Sequence, residues 1–321
     1  MEYRVKGKII KGVGGIYYVR PETQENANDL LPCRARGKFR HEGITPLVGD
    51  RVEILGSASP SEMATKAPEK TELVIDAILD RRNALIRPPL ANLDVIFVSM
   101  ASAFPSPILS TVDKLISIAE HGGIEPVIVV GKSDLDTNST DALVSLYEKA
   151  GFTVFSLSAK NGDGVEALTA YIRKNLAGKI AAFAGASGVG KSSLLSRLFP
   201  ERSIETGEIS RKIERGKNTT RHVELFEYEC VGGIGYIADT PGFSLLDFVR
   251  FDFFRKEDLP ETMREFRPYL GNCRYKKCTH QKEEGCAILE AISRGEIAPS
   301  RHASFQEMYD ALKDKHDWKK G

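Results

Sequence analysis

The sequence predicts a multidomain α/β protein in three parts, and each part has its own signal. Residues 1–78 hold five short alternating runs separated by Gly, Pro and Asp, the pattern of a small OB-like β-barrel. Residues 79–255 alternate apolar β-rich runs with helical stripes, which calls for a mostly parallel sheet covered on both faces. Residues 256–321 are polar and helical, and they carry a tight cluster of cysteines and a histidine that predicts a helical zinc-knuckle module. A chain of 321 residues can hold two or three domains and bury a sizeable core. Its net charge of +1 creates no global pull toward nucleic acid, so any such affinity must come from local patches. The N-terminal stretch lacks an apolar signal core, and no apolar run reaches membrane-spanning length. Five cysteines, three of them beside a histidine, favour metal over disulfides. A cytoplasmic monomer without membrane contact is expected.

In the first part, strands are expected over residues 3–10, 16–19, 33–40, 51–55 and 73–78. The run Cys33-Arg34-Ala35-Arg36-Gly37-Lys38-Phe39-Arg40, read as a strand, puts Arg34, Arg36, Lys38 and Arg40 on one face. Such a stripe could follow an RNA backbone, with Phe39 or Tyr17 near for stacking. A solvated strand face is the competing reading. Residues 57–70, polar with two prolines, read as an exposed loop.

In the second part, strands are expected at 95–98, 127–130, 154–157, 180–184 and 234–238. Ile108, Val112, Leu115, Ile116 and Ala119 make one helical stripe; Leu143, Leu146, Tyr147 and Ala150 make another. Ligands of such sheets gather at the carboxyl ends of the strands. One such end carries Gly185-Ala186-Ser187-Gly188-Val189-Gly190-Lys191-Ser192-Ser193, a match to G-x-x-x-x-G-K-[ST] between a strand and a helix. Its glycines let backbone N–H groups close on phosphate oxygens, and the helix aims its positive end at the same anion. Lys191 would reach the β- and γ-phosphates, and Ser192 would hold Mg²⁺. Asp239-Thr240-Pro241-Gly242 follows another strand. There Asp239 could hold Mg²⁺ through water and the Gly242 N–H could meet a γ-phosphate. Lys217-Asn218-Thr219-Thr220-Arg221-His222 lies between these motifs and reads as a switch loop, with a threonine hydroxyl completing the Mg²⁺ shell only beside a γ-phosphate. Residues 209–222 have many charges and little to bury, so mobility without ligand is expected.

Base recognition is written on two further loops. Gly131-Lys132-Ser133-Asp134 ends the strand 127–130 and is similar to the N/T-K-x-D motif of GTPases. An aspartate there can accept from both N1–H and N2–H₂ of guanine, a donor pair that adenine lacks. Ser158-Ala159-Lys160 ends the next strand and looks like the loop that offers a backbone N–H to guanine O6. The base-reading loops come before the phosphate loop, the switch and D-x-P-G, which indicates a circularly permuted P-loop GTPase domain. Strands pair in space whatever the chain order, and permutation at exposed loops is tolerated.

The third part carries Cys273-x₄-Cys278-x-His280-x₅-Cys286. Three thiolates and an imidazole form a closed tetrahedral set with no open position, so the metal would be structural. Cys33 and Cys230 stand far away in sequence and receive no role.

Taken together, Ile86-Arg87-Pro88-Pro89-Leu90-Ala91-Asn92, the phosphate loop, residues 215–222, D-T-P-G-F and the cysteine cluster resemble the RsgA family of circularly permuted GTPases. The resemblance implies GTP hydrolysis to GDP stimulated by the 30S ribosomal subunit, contact with 16S rRNA, and a role in late small-subunit maturation. It implies Mg²⁺ with the nucleotide and one structural Zn²⁺, and it makes Lys191, Asn218, Thr220 and Gly242 catalytic candidates. Two departures matter. Gly131 stands where the family usually has Asn, so weaker GTP binding with intact guanine preference through Asp134 is expected. Phe243 stands where Ras-like enzymes carry the water-orienting Gln, and relatives often have His at the position of Asn218. Asn218 can hydrogen-bond water but cannot take its proton, so slow turnover that depends on a ribosomal partner is expected. Two rivals stay open: a P-loop enzyme using ATP, and a nucleotide-gated RNA-binding scaffold with negligible hydrolysis.

Overall fold

The computed structural model describes residues 3–22, 30–56, 72–85, 89–200, 223–239 and 255–313. They fall into two compact units. The first draws on Met1–Val95, Ile172–Ala182 and Lys217–Gly242, the second on Ile96–Tyr171, Phe183–Gly216 and Phe243–Gly321.

The first unit opens with β1 (Tyr3–Val13), β2 (Ile16–Pro21) and β3 (Leu31–Ala35), then a single turn of helix α1 (Lys38–His41), β4 (Arg51–Gly56) and β5 (Val74–Ile78). β1 pairs with β2 and β4, β2 with β3, β3 with β5, and β5 with β4, so the five strands close into a barrel-like ring. β1 gives residues 3–8 to β4 and 7–13 to β2, with a register shift between Ile9 and Lys11. Alternation sends Val5, Ile9, Val19, Leu31, Cys33, Val52 and Ile54 inside, each no more than 5% exposed. Burial pushes the Cys33 thiol up to about 12, which leaves it an inert core side chain.

The basic stripe does not form as expected. β3 stops at Ala35, and Gly37 caps α1. Phe39 turns inward while Lys38 and Arg40 stay exposed. Residues two apart on a helix point about 200° apart. Arg34, Arg36, Lys38 and Arg40 therefore share no strand face. Part of their charge is also met: Arg36 pairs with Asp76, and Lys38 Nζ lies 3.6 Å from the same carboxylate.

Two short strands, β6 (Ala84–Leu85) and β7 (Leu90–Ala91), make a small hairpin after the ring. The second unit then takes most of β8 (Val95–Ala101), followed by α2 (Leu109–His121), β9 (Glu125–Gly131), α3 (Thr137–Lys149) and β10 (Thr153–Ser156). α4 (Val165–Asn175), β11 (Ile180–Gly185) and α5 (Lys191–Leu198) come next. β8 and β11 are buried along their whole lengths, and β9 along all but its first residue. Phe97 stacks on Phe183 at 4.6 Å. The stripe of α2 is inward as expected except at Ile108, which precedes the helix and is 68% exposed. β9 and β10 run parallel. In the first unit β13 (Gly233–Asp239) runs parallel to the start of β11 but antiparallel to β12 (Glu224–Cys230), so the strands are mixed. Cys230 sits beside the Ile172 carbonyl at 3.5 Å.

Residues 255–313 belong to the second unit. Two short 3₁₀ stretches, Leu259–Thr262 and Arg264–Tyr269, lead to α6 (Ala287–Ser293) and α7 (Pro299–Lys313). Leu259, Met263, Phe266, Ile288 and Phe305 are fully buried at their centre. Beneath them lies a charged group. Arg301 on α7, 1% exposed, donates from Nε to Glu265 at 2.6 Å and also to Asp113 on α2. Tyr147 on α3 donates to the same Asp113 oxygen at 2.9 Å. Removing one member of a buried ion pair strands the others. Arg301→Met should therefore lower unfolding free energy by about 3–5 kcal/mol in urea titrations; a loss below about 1 kcal/mol would show that Asp113 and Glu265 do not need the guanidinium.

Candidate nucleotide site and metal centre

The carboxyl end of β8 and the loops after β9, β10 and β11 surround one cavity of about 240 Å³. Gly131, Lys132 and Asp134 line it from the end of β9, and Ser158, Ala159 and Lys160 from beyond β10. Val189, Gly190, Lys191 and Ser193 line it from the loop after β11. Met100, Val129, Leu157 and Leu194 give it apolar walls suited to a flat ring. Ser133, Gly185, Ala186, Ser187, Gly188 and Ser192 belong to the same loops but do not line the cavity. Asp239 ends β13; Asn218, Thr220 and Gly242 lie outside the described residues, as do the whole switch loop and residues 57–70.

Local geometry explains the loop after β11. A Cβ on Gly185 would stand 2.1 Å from the Ser99 carbonyl, so only glycine lets β11 end this close to β8. Gly190, at φ 104°, turns the chain into α5, which starts at Lys191. Lys191 Nζ donates to the carbonyls of Gly185 and Ala186 at 2.8 and 2.7 Å. Burial lowers its pKa to about 8. A poorly solvated ammonium held only by carbonyls is a ready partner for a phosphate anion.

The loops after β9 and β10 bring one opposite charge to the cavity, Asp134, beside Lys132 and Lys160. Asp134 is fully exposed to the cavity, and a hydrogen bond from Ser158 holds its carboxyl below the usual range, with Lys160 and Lys132 contributing. Asp134 is thus a pure acceptor at neutral pH. Its loop ends where Asp136 caps α3, accepting from the Ser139 N–H at 2.8 Å. Sequence reasoning missed one residue. Arg197, on α5, donates to the carbonyls of Ala159 and, at 2.6 Å, Lys160. It ties the Ser158 loop to α5. The only hint was an arginine about two turns past the glycine loop, which many helices share.

The cysteine cluster closes as the spacing suggests. Ligand atoms of Cys273, Cys278, His280 and Cys286 all lie within 4.8 Å of one another. Cys273 and Cys286 sulfurs are 3.5 Å from His280 Nδ1 and 4.0 Å apart. A tetrahedral ion with Zn–S of about 2.3 Å sets its sulfurs about 3.8 Å apart, so the donors fit a metal ion. His302 Nε2 donates to the His280 carbonyl at 2.7 Å. Glu283 accepts from the N–H groups of Thr279, Gln281 and Lys282 at 2.7, 3.0 and 3.1 Å. Burial works against that carboxylate, yet these bonds hold it at about 2.

The model of the RsgA GTPase family matches residues 78–249, and that of the RsgA N-terminal domain matches residues 6–59. The chain belongs to the RsgA family. Among curated RsgA proteins, "Small ribosomal subunit biogenesis GTPase RsgA" of Ruminiclostridium cellulolyticum is 39% identical over 308 residues, covering 96% of this chain and 94% of the relative. The protein of the same name from Alkaliphilus metalliredigens is 40% identical over 309 residues, covering 96% and 98%. Among solved structures, YjeQ from Thermotoga maritima superposes with a TM-score of 0.77 at 31% identity, covering 98% of this chain and all of that one. YloQ, described as a circularly permuted GTPase, gives 0.74 at 32% identity and covers 98% and 96%. Among the described residues no helix is long and apolar enough to cross a membrane.

With the Lys191 pKa lowered to about 8 by burial, any phosphate binding beside it would depend on pH. A bound phosphate raises that pKa. Below about 8 the lysine is charged with or without ligand, and affinity is flat. Above it, binding takes up a proton, so affinity falls as pH rises. Calorimetric titration with GDP should give a Kd about five- to tenfold higher at pH 8.8 than at pH 7.0; equal values would mean the free lysine is not depressed.

Proposed function

We propose that this chain is a GTPase of small ribosomal subunit biogenesis that binds GTP and GDP in the cavity between Asp134 and Lys191. The observation that carries this is the meeting of a carboxylate acceptor and a half-buried ammonium in one cavity. A guanine at one end and phosphates at the other would satisfy both. The loops 131–134, 158–160 and 185–193 are the nucleotide-binding residues in this reading. Lys191 and the loop amides would stabilise charge on the phosphates; Ser192, Thr220 and Asp239 are the candidate Mg²⁺ ligands, and Asn218 and Gly242 the candidate partners of the γ-phosphate.

Three working parts follow. Residues 1–78 form an OB-type, RNA-binding barrel, a reading supported by the ring order of its strands. Arg34, Arg36, Lys38 and Arg40 remain its candidate rRNA contacts, as a patch spread over a strand end and a helical turn. Residues 79–255 are the permuted GTPase domain. Residues 256–321 are a zinc-binding helical domain, because three thiolates and a neutral imidazole suit Zn²⁺ above harder cations. GTP orders the switch and favours the 30S-bound state of a cytoplasmic monomer; hydrolysis releases it.

Single-turnover hydrolysis of GTP and ATP with and without purified 30S subunits tests this. Stimulation of at least tenfold with GTP, absence of turnover with ATP, and loss of the stimulation in Thr220→Ala are expected if the site works as a 30S-triggered GTPase, each tenfold being about 1.4 kcal/mol of barrier. No stimulation would favour a scaffold, and ATP turnover an unrelated P-loop enzyme. Elemental analysis should find one zinc per chain, lost in Cys286→Ala together with cooperative unfolding; a full-strength unfolding transition in the metal-free variant would remove the structural role.

A further inference from the structure

The loop that presents Asp134 contains no side chain at its first position, since residue 131 is glycine. A Cβ there would stand 3.1 Å from the Val189 carbonyl and 3.5 Å from that of Met100, so even alanine is crowded. Lys132 follows in the left-handed region at φ 57°, an arrangement costly for a residue with a side chain. Something outside the loop must hold it. Ser102, one residue past β8 and 4% exposed, makes the contacts. Its N–H donates to the Gly131 carbonyl at 2.9 Å, and its Oγ donates to the Lys132 carbonyl at 2.7 Å. Its own carbonyl accepts from Ser139 Oγ on α3 at 2.8 Å. The Lys132 carbonyl also accepts from the Leu135 N–H at 2.9 Å, closing a turn around Asp134.

We propose that Ser102 is the positioning residue of the base-reading loop, setting guanine-nucleotide affinity by holding the left-handed turn at Lys132 that aims Asp134 into the cavity. This rests on the reading of the cavity as a guanine nucleotide site. Among the described residues, the hydrogen bonds of Ser102 go to Gly131, Lys132 and Ser139, not to Lys191. Its loss should therefore move binding of the base and spare chemistry on the phosphates.

The test is GDP titration together with saturation hydrolysis of GTP on the full chain. Ser102→Ala should raise the GDP Kd and the GTP KM about five- to tenfold, the worth of one buried hydrogen bond, with kcat within about twofold of wild type. Ser102→Thr, which keeps the hydroxyl, should restore affinity. Ser139→Ala, further from the loop and half-buried, should shift Kd the same way by about two- to threefold and serves if Ser102→Ala does not fold. Asp134→Asn tests the site itself. An amide cannot accept from both guanine donors, so it should weaken GDP far more and improve xanthosine diphosphate, whose O2 accepts a hydrogen bond. If Asp134→Asn behaves so while Ser102→Ala and Ser139→Ala leave Kd unchanged, Ser102 is not a positioning residue. A parallel fall in kcat and melting temperature without a Kd change overturns it equally. If Asp134→Asn changes nothing, the guanine reading of the cavity fails instead.

Discussion

The whole candidate site depends on how closely β11 approaches β8. The contact is Gly185 against the Ser99 carbonyl, where any Cβ would collide at 2.1 Å. In the second unit these two strand ends belong to segments far apart in the chain, one before the base-reading loops and one after them. In an unpermuted order, the phosphate loop would come first and the base-reading loops would follow. Here the loops after β9 and β10 precede β11 in the chain, and β11 lies beside β8 in the sheet. Glycine at that position lets a backbone pack against a backbone, and the stacking of Phe97 on Phe183 two residues earlier fixes the depth. Without that register, Asp134 and Lys191 would not face one cavity.

Much of this was legible from the chain alone because the signals are local. The glycine loop after β11, the loops after β9 and β10 and the cysteine cluster each need only a dozen neighbouring residues; the three loops meet at one cavity, and the cluster's ligand atoms come together. The five barrel strands were legible for the same reason: alternation reports burial on one face. The basic stripe failed through the same rule. In Cys33-Arg34-Ala35-Arg36-Gly37-Lys38-Phe39-Arg40 the alternation suggested one long strand. Gly37 breaks the extended run, and burying Phe39 by a helical turn serves the core as well as a strand would. Period-two patterns across a glycine do not distinguish these outcomes.

What could not be read are the side chains whose partners lie far away. Arg197 reaches carbonyls 37 and 38 residues back. Arg301 meets an aspartate 188 residues earlier. Nothing in their neighbourhoods marks them apart from surface arginines, because sequence spacing carries information only where secondary structure converts it into distance. The long reach also explains why these two are arginines. A planar fork can satisfy two carbonyls or two carboxylates at once, whereas an ammonium would serve as a point charge.

Arg301 raises a further question of physics. A buried ion pair seldom adds net stability over well-packed apolar side chains, because desolvation consumes most of the Coulombic gain. Its value lies in register. The seam between α7 and α2 could be built from Leu and Ile, but apolar ridges tolerate displacement at modest cost. A guanidinium that donates at once to Asp113 on α2 and to Glu265 outside it fits one position along the helix. The Tyr147 hydroxyl, bonded to the same Asp113 oxygen, extends that constraint to α3, the helix that begins directly after the base-reading loop. His302, the next residue on α7, holds the His280 carbonyl and so fixes the cysteine cluster to the same helix. Two adjacent residues of one helix thus index the cysteine cluster against the helices beneath the base-reading side, and a one-residue slip of α7 would break both attachments together.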